Sequence, residues 1–433
     1  MMTDLLYRQW NTVVERPCFW RWATLCMSPL NYRAMMRSNR MKVCCKLFLS
    51  PSYDDLFDFK FVKDHSMSHY VRTVFQFIRD NREKLALKGL IVRENMEKVA
   101  PYMLAQVIAQ MEEVTISYSY FTPAQMETLF KKIFVYNNLK LSRLNLSDEN
   151  DYYNVPCICS YSLRMVDPEI FAEAILRLEV MTLTRTRTTN NQTEELFHRI
   201  IETKSKNLKT LHVNFCVLML QEITASMLAT AFVRLEKLDI SRKSLVRFHQ
   251  LHRLFREIIN CDDKELVLKD INLKDTQLGF LEPDLISGAL LRLETVNISN
   301  TQANDKQLIH LVQSIADAKE QKITSLDLSE NTLTRVPPEP LSTVVCSIPV
   351  VNLSKSKLTK VQLNCLFENI AVSKNLKLRE LIIENCNLYS VDYDNLAHAL
   401  ARLKCFRIKK SELTSYQKIK IERGLERVSC EAS

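Results

Sequence analysis

Glycine is nearly missing: the chain of 433 residues holds four, Gly89, Gly279, Gly288 and Gly424. No two stand close enough to form a phosphate-cradling turn, which excludes P-loop and dinucleotide-binding fingerprints. Paired cysteines are also missing. The thirteen present include no CxxC spacing, and such an odd, scattered set predicts reduced thiols rather than a disulfide framework. Cys157 and Cys159 lack two further ligands at metal spacing, so neither metal nor cofactor is expected. No stretch is apolar enough to span a bilayer, and the opening MMTDLLYRQW has no apolar signal core. The expected location is therefore the cytoplasm, with the nucleus as the alternative, and no membrane partner is expected.

Catalytic signatures are absent too. There is no GxSxG, and the SxxK matches at Ser354–Lys357 and Ser415–Lys418 lack their companion motifs. His249 and His252 stand three apart in FHQLHRLFREI, one short of a zinc-protease helix, with no glutamate between them. They read as the solvated flank of an amphipathic helix, and the chain is not expected to be an enzyme. Basic residues outnumber acidic ones 59 to 50, a net charge of +9. That excess is dilute and forms no aromatic-interleaved stripe, so nucleic acid is not an expected partner. The sequons at Asn145, Asn191, Asn297 and Asn352 are read as accidental, three of them falling in predicted strands.

What the chain does have is repetition. LEPDLISGALLRLE from Leu281 has an acidic first turn and apolar residues at helical spacing, and it runs directly into the strand-like alternation Leu293, Val296, Ile298. The same register starts at Val99, Val166, Ile223, Leu281, Val336 and Val391, separations of 67, 57, 58, 55 and 55. A second helix is interleaved, closing on Ile133, Ile200, Ile258, Ile315 and Ile370 at separations of 67, 58, 57 and 55. From Leu273 onward the strand cores Leu273, Ile298, Leu328, Leu353, Ile383 and Ile408 are spaced 25, 30, 25, 30 and 25 apart. Two alternating strand–helix units at such periods predict a stacked solenoid. The spacing widens to 37 between Leu146 and Leu183, and the excess lies in SDENDYYNVPCICSYSLR, residues 147–164, read as a loop on the rim.

The segment Ile323 to Leu333, ITSLDLSENTL, resembles the leucine-rich-repeat consensus LxxLxLxxNxL. Paired units returned by full helices resemble the ribonuclease-inhibitor type of that family. The resemblance implies an α/β horseshoe with a parallel sheet inside and helices outside. Residues 41–98 are expected to form irregular first units, with strands at Met41–Ser50, Leu56–Phe61 and Leu87–Val92 and a helix near Tyr70–Ile78, and residues 99–425 the regular repeats. Ser119, Thr186, Cys216, Thr276, Thr301, Asn331, Ser356, Cys386 and Ser411 stand at the consensus asparagine, where short polar side chains suit a turn with buried backbone groups.

Alternation along each strand turns one set of side chains to the core and the other to the concave wall. The second set includes Arg143, His212, Lys237, Asp239, Asp270, Asn272, Asn297, Asp327, Asn352, Glu380 and Arg407. Such a mainly uncharged or acidic wall suits a protein surface better than a phosphate backbone.

The N-terminal 1–40 does not fit the repeat. All three tryptophans, Trp10, Trp20 and Trp22, fall within it. With Leu5, Leu6, Arg8, Trp10, Pro17, Phe19 and Trp20 this stretch resembles the second half of an F-box: a helix ending R-x-W, a proline turn, then Phe-Trp. That resemblance implies a small helical segment that binds a Skp-type adaptor, in a substrate receptor of a Skp-cullin-F-box ubiquitin ligase. Two other readings stand beside it. The aromatic cluster could simply cap the first repeat of a free-standing scaffold. A ribonuclease inhibitor would match the fold but would want an acidic chain, not +9.

Overall fold

The computed structural model of the chain describes residues 24–27, 46–49, 67–93, 96–117, 121–146, 162–183, 188–203, 207–212, 223–241, 247–389 and 391–408. The chain forms two compact units, Met1–Ile223 and Thr224–Ser433.

In the first unit the strands are β1 (Thr24–Met27), β2 (Lys46–Leu49), β3 (Gly89–Val92), β4 (Glu113–Ile116), β5 (Arg143–Leu146), β6 (Val180–Thr182) and β7 (Thr210–His212). Each pairs in parallel with the next in sequence. The helices are α1 (Met67–Asp80), α2 (Pro101–Ile108), α3 (Pro123–Val135), α4 (Pro168–Leu176) and α5 (Asn190–Thr203). The second unit continues the alternation: α6 (Ala225–Phe232), β8 (Lys237–Asp239), α7 (Phe248–Asn260), β9 (Asp270–Asn272), α8 (Pro283–Leu290), β10 (Thr295–Asn297), α9 (Asp305–Asp317), β11 (Ser325–Asp327), α10 (Pro338–Ser347), β12 (Val350–Asn352), α11 (Lys360–Val372), β13 (Glu380–Ile382), α12 (Tyr393–Ala401) and β14 (Cys405–Arg407). These strands are likewise parallel and in sequence order. This is the stacked α/β solenoid of parallel strands and returning helices that the spacing predicts.

The 25 and 30 alternation has a plain cause. The helix between β9 and β10 has 8 residues and the one between β10 and β11 has 13. The longer crossover accounts for the longer repeat. Central strand residues Ile271, Val296, Leu326, Val351 and Leu381 are all 2% exposed or less. The helix-closing residues Ile133, Ile200, Ile258, Ile315 and Ile370 join them at 4% or less. These aliphatic rows make the core, each fully buried side chain contributing about 1.5–3 kcal/mol of burial free energy.

A second periodic device ties successive units together. The third helical residue of α3, α5, α9 and α11 is a buried glutamine: Gln125, Gln192, Gln307 and Gln362. Its Oε1 accepts from the N–H of the capping residue, as from Thr122 at 2.9 Å and Asn304 at 2.8 Å. Its Nε2 donates to two backbone carbonyls of the preceding loop. For Gln307 these are Leu278 and Leu281, at 2.9 and 2.6 Å, and for Gln362 Leu333 and Val336, at 2.7 and 2.6 Å. Gln125 and Gln192 do the same to Met96 and Val99 and to Leu163 and Val166. Gln250 holds the same place in α7 and accepts from Arg247 N–H at 2.8 Å. The opposite helix end is held by arginine. Arg177 donates to the carbonyls of Ile133, Phe134 and Tyr136, Arg292 to those of Ile258 and Ile259, and Arg402 to those of Ile370, Ala371 and Ser373. Each guanidinium satisfies orphan carbonyls where the helix dipole is negative.

The turns after the strands explain how the chain manages with so little glycine. Asp275, Asn300, Glu330, Lys355 and Asn385, each three residues past a strand, adopt positive φ of 61°, 53°, 60°, 56° and 55°. Left-handed backbone costs an L-residue about 1–2 kcal/mol. An offset comes from the next turn: the N–H groups of Asp275, Asn300, Glu330 and Lys355 donate to the carbonyls of Ser299, Ser329, Ser354 and Glu384. Gly279 is needed for another reason, since a Cβ there would sit 2.9 Å from the Gln302 carbonyl oxygen. The consensus-asparagine positions satisfy buried backbone as expected: Asn331 Nδ2 donates to Ile298 O and Leu328 O, while Thr301 and Ser356 donate to Ile298 O and Leu353 O. Ser119, Thr186, Cys216 and Ser411 lie outside the described residues.

One expectation for the start of the chain needs revision and another falls outside the described residues. β2 pairs directly with β3 along four residues; the strand expected at Leu56–Phe61 lies within residues 51–66, outside those described. The sheet also contains β1, upstream of residue 41 where the repeats were expected to start. Residues 1–23, and with them the expected helical cap, are outside the described set, as are residues 147–161 of the long loop.

Candidate functional site

The candidate surface is the open face of the sheet, made by the first and third residues of each strand. In the second unit the third positions form one continuous row through the parallel register: Asp239, Asn272, Asn297, Asp327, Asn352, Ile382 and Arg407. Lys237, Asp270, Thr295, Ser325, Val350, Glu380 and Cys405 form the parallel row at the first positions. The sequence-predicted wall residues from Lys237 to Arg407 therefore do share one face.

Five members of the third row have a structural duty that the sequence reading did not assign. The Oδ1 atoms of Asp239, Asn272, Asn297, Asp327 and Asn352 accept from the backbone N–H two residues on, at 2.9 to 3.1 Å. These are Asx turns, in which a short side chain ends the strand and starts the left-handed turn. Either acid or amide can do this, because only the shared Oδ1 is used. Asp327 and Asn352 are further joined, Nδ2 donating to Oδ2 at 2.9 Å.

The cations of this face sit at its ends, each held by a carboxylate on the neighbouring strand. Lys237 Nζ lies 2.7 Å from Asp270 Oδ2, and Arg407 lies 3.2 Å from Glu380 Oε1. The hydrogen bond and charge of Asp270 hold the Lys237 ammonium above the ordinary lysine range. In the first unit the corresponding row runs Thr115, Asn145, Thr182 and His212, with Arg143 exposed at a first position. Asn145 Oδ1 is buried without a hydrogen-bond partner among the described residues. The adaptor-type residues Leu5, Leu6, Trp10, Pro17, Phe19 and Trp20 lie outside the described residues, and so does Asn214.

One constellation on the helices has the composition of a hydrolase triad. His310 Nε2 lies 2.8 Å from Asp284 Oδ1, and Nδ1 lies 3.2 Å from Ser287 Oγ. Its exposure is inverted for catalysis. Ser287 is 3% exposed and donates to the Asp284 carbonyl, whereas the Asp284 side chain is 90% exposed. A nucleophile must be reachable and its orienting acid shielded. The next repeat has the same pin in different chemistry, Ser342 meeting Asn369 and Cys365, which marks it as packing between α8 and α9 and between α10 and α11. No group of three or more metal-ligating side chains occurs among the described residues. His249 is exposed, and His252 lies 3.6 Å from Glu282.

A second feature stands at the start of α7 and in the turn just before α8. Phe248 and Phe280 are 48% and 68% exposed and meet edge to face at 6.2 Å. Exposed aromatic pairs are of the type that anchors protein partners, and the sequence reading did not single them out, since each taken alone looks like an ordinary amphipathic-helix residue.

No protein-family profile and no curated protein matches the chain. Among solved structures it is similar to a leucine-rich-repeat protein of Leptospira interrogans, with 14% identity, a TM-score of 0.35, and coverage of 76% of this chain and 92% of that one. It is also similar to a leucine-rich-repeat-containing protein of Legionella pneumophila, with 14% identity, a TM-score of 0.40, and coverage of 80% and 98%.

Proposed function

We propose that the chain is a protein-recognition module that works by binding, not by catalysis, and that it serves as a substrate receptor for a Skp-cullin-F-box ubiquitin ligase. The observation that carries the recognition role is the open sheet face. It is a continuous, half-buried array of side chains on rigid strands, backed by a closed aliphatic core. Such a surface holds contact groups in place before a partner arrives, which lowers the ordering cost of binding. Support for the ligase link comes from the Arg8, Trp10, Pro17, Phe19 and Trp20 segment, which resembles the adaptor-binding half of an F-box. On this reading the protein acts in the cytoplasm or nucleus, supplying affinity and geometry while its ligase partners supply the chemistry. No helix among the described residues is long and apolar enough to cross a membrane.

A free-standing scaffold is the second reading, and β1 favours it. Among the described residues the sheet begins at Thr24, four residues after Trp20, so the aromatic segment is close enough in sequence to cover that strand. A pull-down of purified Skp-type adaptor by the full-length chain separates the two. The ligase reading expects capture that is lost in Trp10→Ala with Trp20→Ala, whereas no capture by the unaltered chain leaves the scaffold.

A further inference from the structure

From a group of cations left without acids at the end of the second unit we infer an interface for an acidic polypeptide segment; this rests on the protein-recognition reading. In both units the residue just before each strand stands on the edge where the strands start. Elsewhere on that edge opposite charges on neighbouring strands pair: Lys88 with Glu112 at 3.0 Å, Glu179 with Lys209 at 3.9 Å, and Lys269 with Glu294 at 3.7 Å. Two repeat pairs after the last of these, 110 residues on, the places of Lys269 and Glu294 are taken by Arg379 and Lys404. These two are neighbours across the strands, since the Lys404 N–H donates to the Arg379 carbonyl at 3.0 Å.

The turn that leads into β13 shows the same loss of acids. Lys322 lies 3.8 Å from Asp263. Its counterpart one repeat pair later, 55 residues on, is Lys377, and the counterpart of Asp263 is Ala318. Lys374 stands in the same turn. Lys374, Lys377, Arg379 and Lys404 are all exposed, and among the described residues no carboxylate pairs with any of them. The nearest acid in sequence, Glu380, is held by Arg407 at 3.2 Å. Like charges on facing strand positions oppose the pairing of the strands, so folding does not account for Arg379 beside Lys404. An acid at 404 would serve the fold better, as Glu294 does beside Lys269. A partner bringing carboxylates relieves the repulsion and supplies acceptors to side chains that have donors only. Val372, at the end of α11 and 68% exposed, adds an aliphatic contact that a polypeptide can cover. No exposed aromatic ring, on which nucleic-acid bases would stack, lies among residues 372–379 or 402–408.

The test measures affinity of the full-length chain for synthetic peptides of equal length graded in net charge, by fluorescence anisotropy at low and at physiological salt. Affinity should rise with negative charge and fall with salt. Lys404→Glu restores beside Arg379 the arrangement of Lys269 and Glu294, so it should hold or raise the urea midpoint while weakening the most acidic peptide roughly tenfold. Lys374→Gln with Lys377→Gln, which leaves the strands untouched, should weaken the same peptide roughly fivefold. Lys269→Gln removes a cation that is already paired and should change the affinity by less than about twofold. No binding of the acidic peptides, binding independent of charge, an equal loss in Lys269→Gln, a urea midpoint lowered by Lys404→Glu, or displacement of the peptide by a single-stranded oligonucleotide that binds more tightly would overturn the inference. Adaptor capture is scored separately, so failure here leaves the receptor reading standing, and failure of adaptor capture leaves this inference standing.

Discussion

Two periodic rows of the molecule behave differently. The buried third position of α3, α5, α7, α9 and α11 is glutamine in all five, Gln125, Gln192, Gln250, Gln307 and Gln362. The third strand position changes along the second unit from Asp to Asn, back to Asp, again to Asn, and finally to Ile and Arg. Both rows hydrogen-bond to backbone. The glutamine must accept from one N–H and donate to two carbonyls at once, which only a long amide can do. The strand row needs one Oδ1 acceptor for the turn, which Asp and Asn both supply. A site with one solution is fixed by folding; a site with two equivalent solutions can be set by what it meets.

That contrast is broken most severely at the glutamine. Gln307→Glu replaces a donor pair by a carboxylate facing the Leu278 and Leu281 carbonyls at 2.9 and 2.6 Å. Urea unfolding should show a loss of about 3 kcal/mol, since buried acceptors lose their donors and a buried charge gains no partner. Next in size is Arg292→Ala, which removes the bonds to Ile258 O and Ile259 O and the 2.5 Å contact with Asp263. A loss of about 2 kcal/mol is expected in the same assay. At the strand row, by contrast, Asn297→Asp should shift stability by no more than about 0.5 kcal/mol. Equal losses at Gln307 and Asn297 would erase the distinction.

The thiols give a smaller check on which surfaces are closed. Burial pushes the Cys346 thiol up to about 11, while Cys405 is exposed. At pH 8 an alkylating reagent should label Cys405 well before Cys346, because the thiolate is the nucleophile. The raised value means the stability from burying neutral Cys346 is whole below the ordinary thiol pKa and is lost as pH rises toward 11. Labelling of both at the same rate would place Cys346 at the surface.

Much of this fold is written in aliphatic spacing. Leu326 and Leu328, or Ile258 and Ile315, recur because one face of every strand and helix must be buried, and that periodicity is visible without coordinates. The glutamine row carried an equally regular signal, Thr122 with Gln125, Thr189 with Gln192, Asn304 with Gln307 and Thr359 with Gln362. It passed unread because a capping-box glutamine looks like a polar surface residue until its Nε2 partners are seen. At the candidate surface the sequence identified which residues face outward. It could not show that Asn272 or Asp327 also ends its own strand, since that duty depends on a backbone N–H two residues away adopting one particular turn.

The most direct test sets the urea unfolding of Gln307→Glu beside that of Asn297→Asp. The account predicts a loss of about 3 kcal/mol for the first and of no more than about 0.5 kcal/mol for the second. Losses of the same size at the two positions would contradict the account.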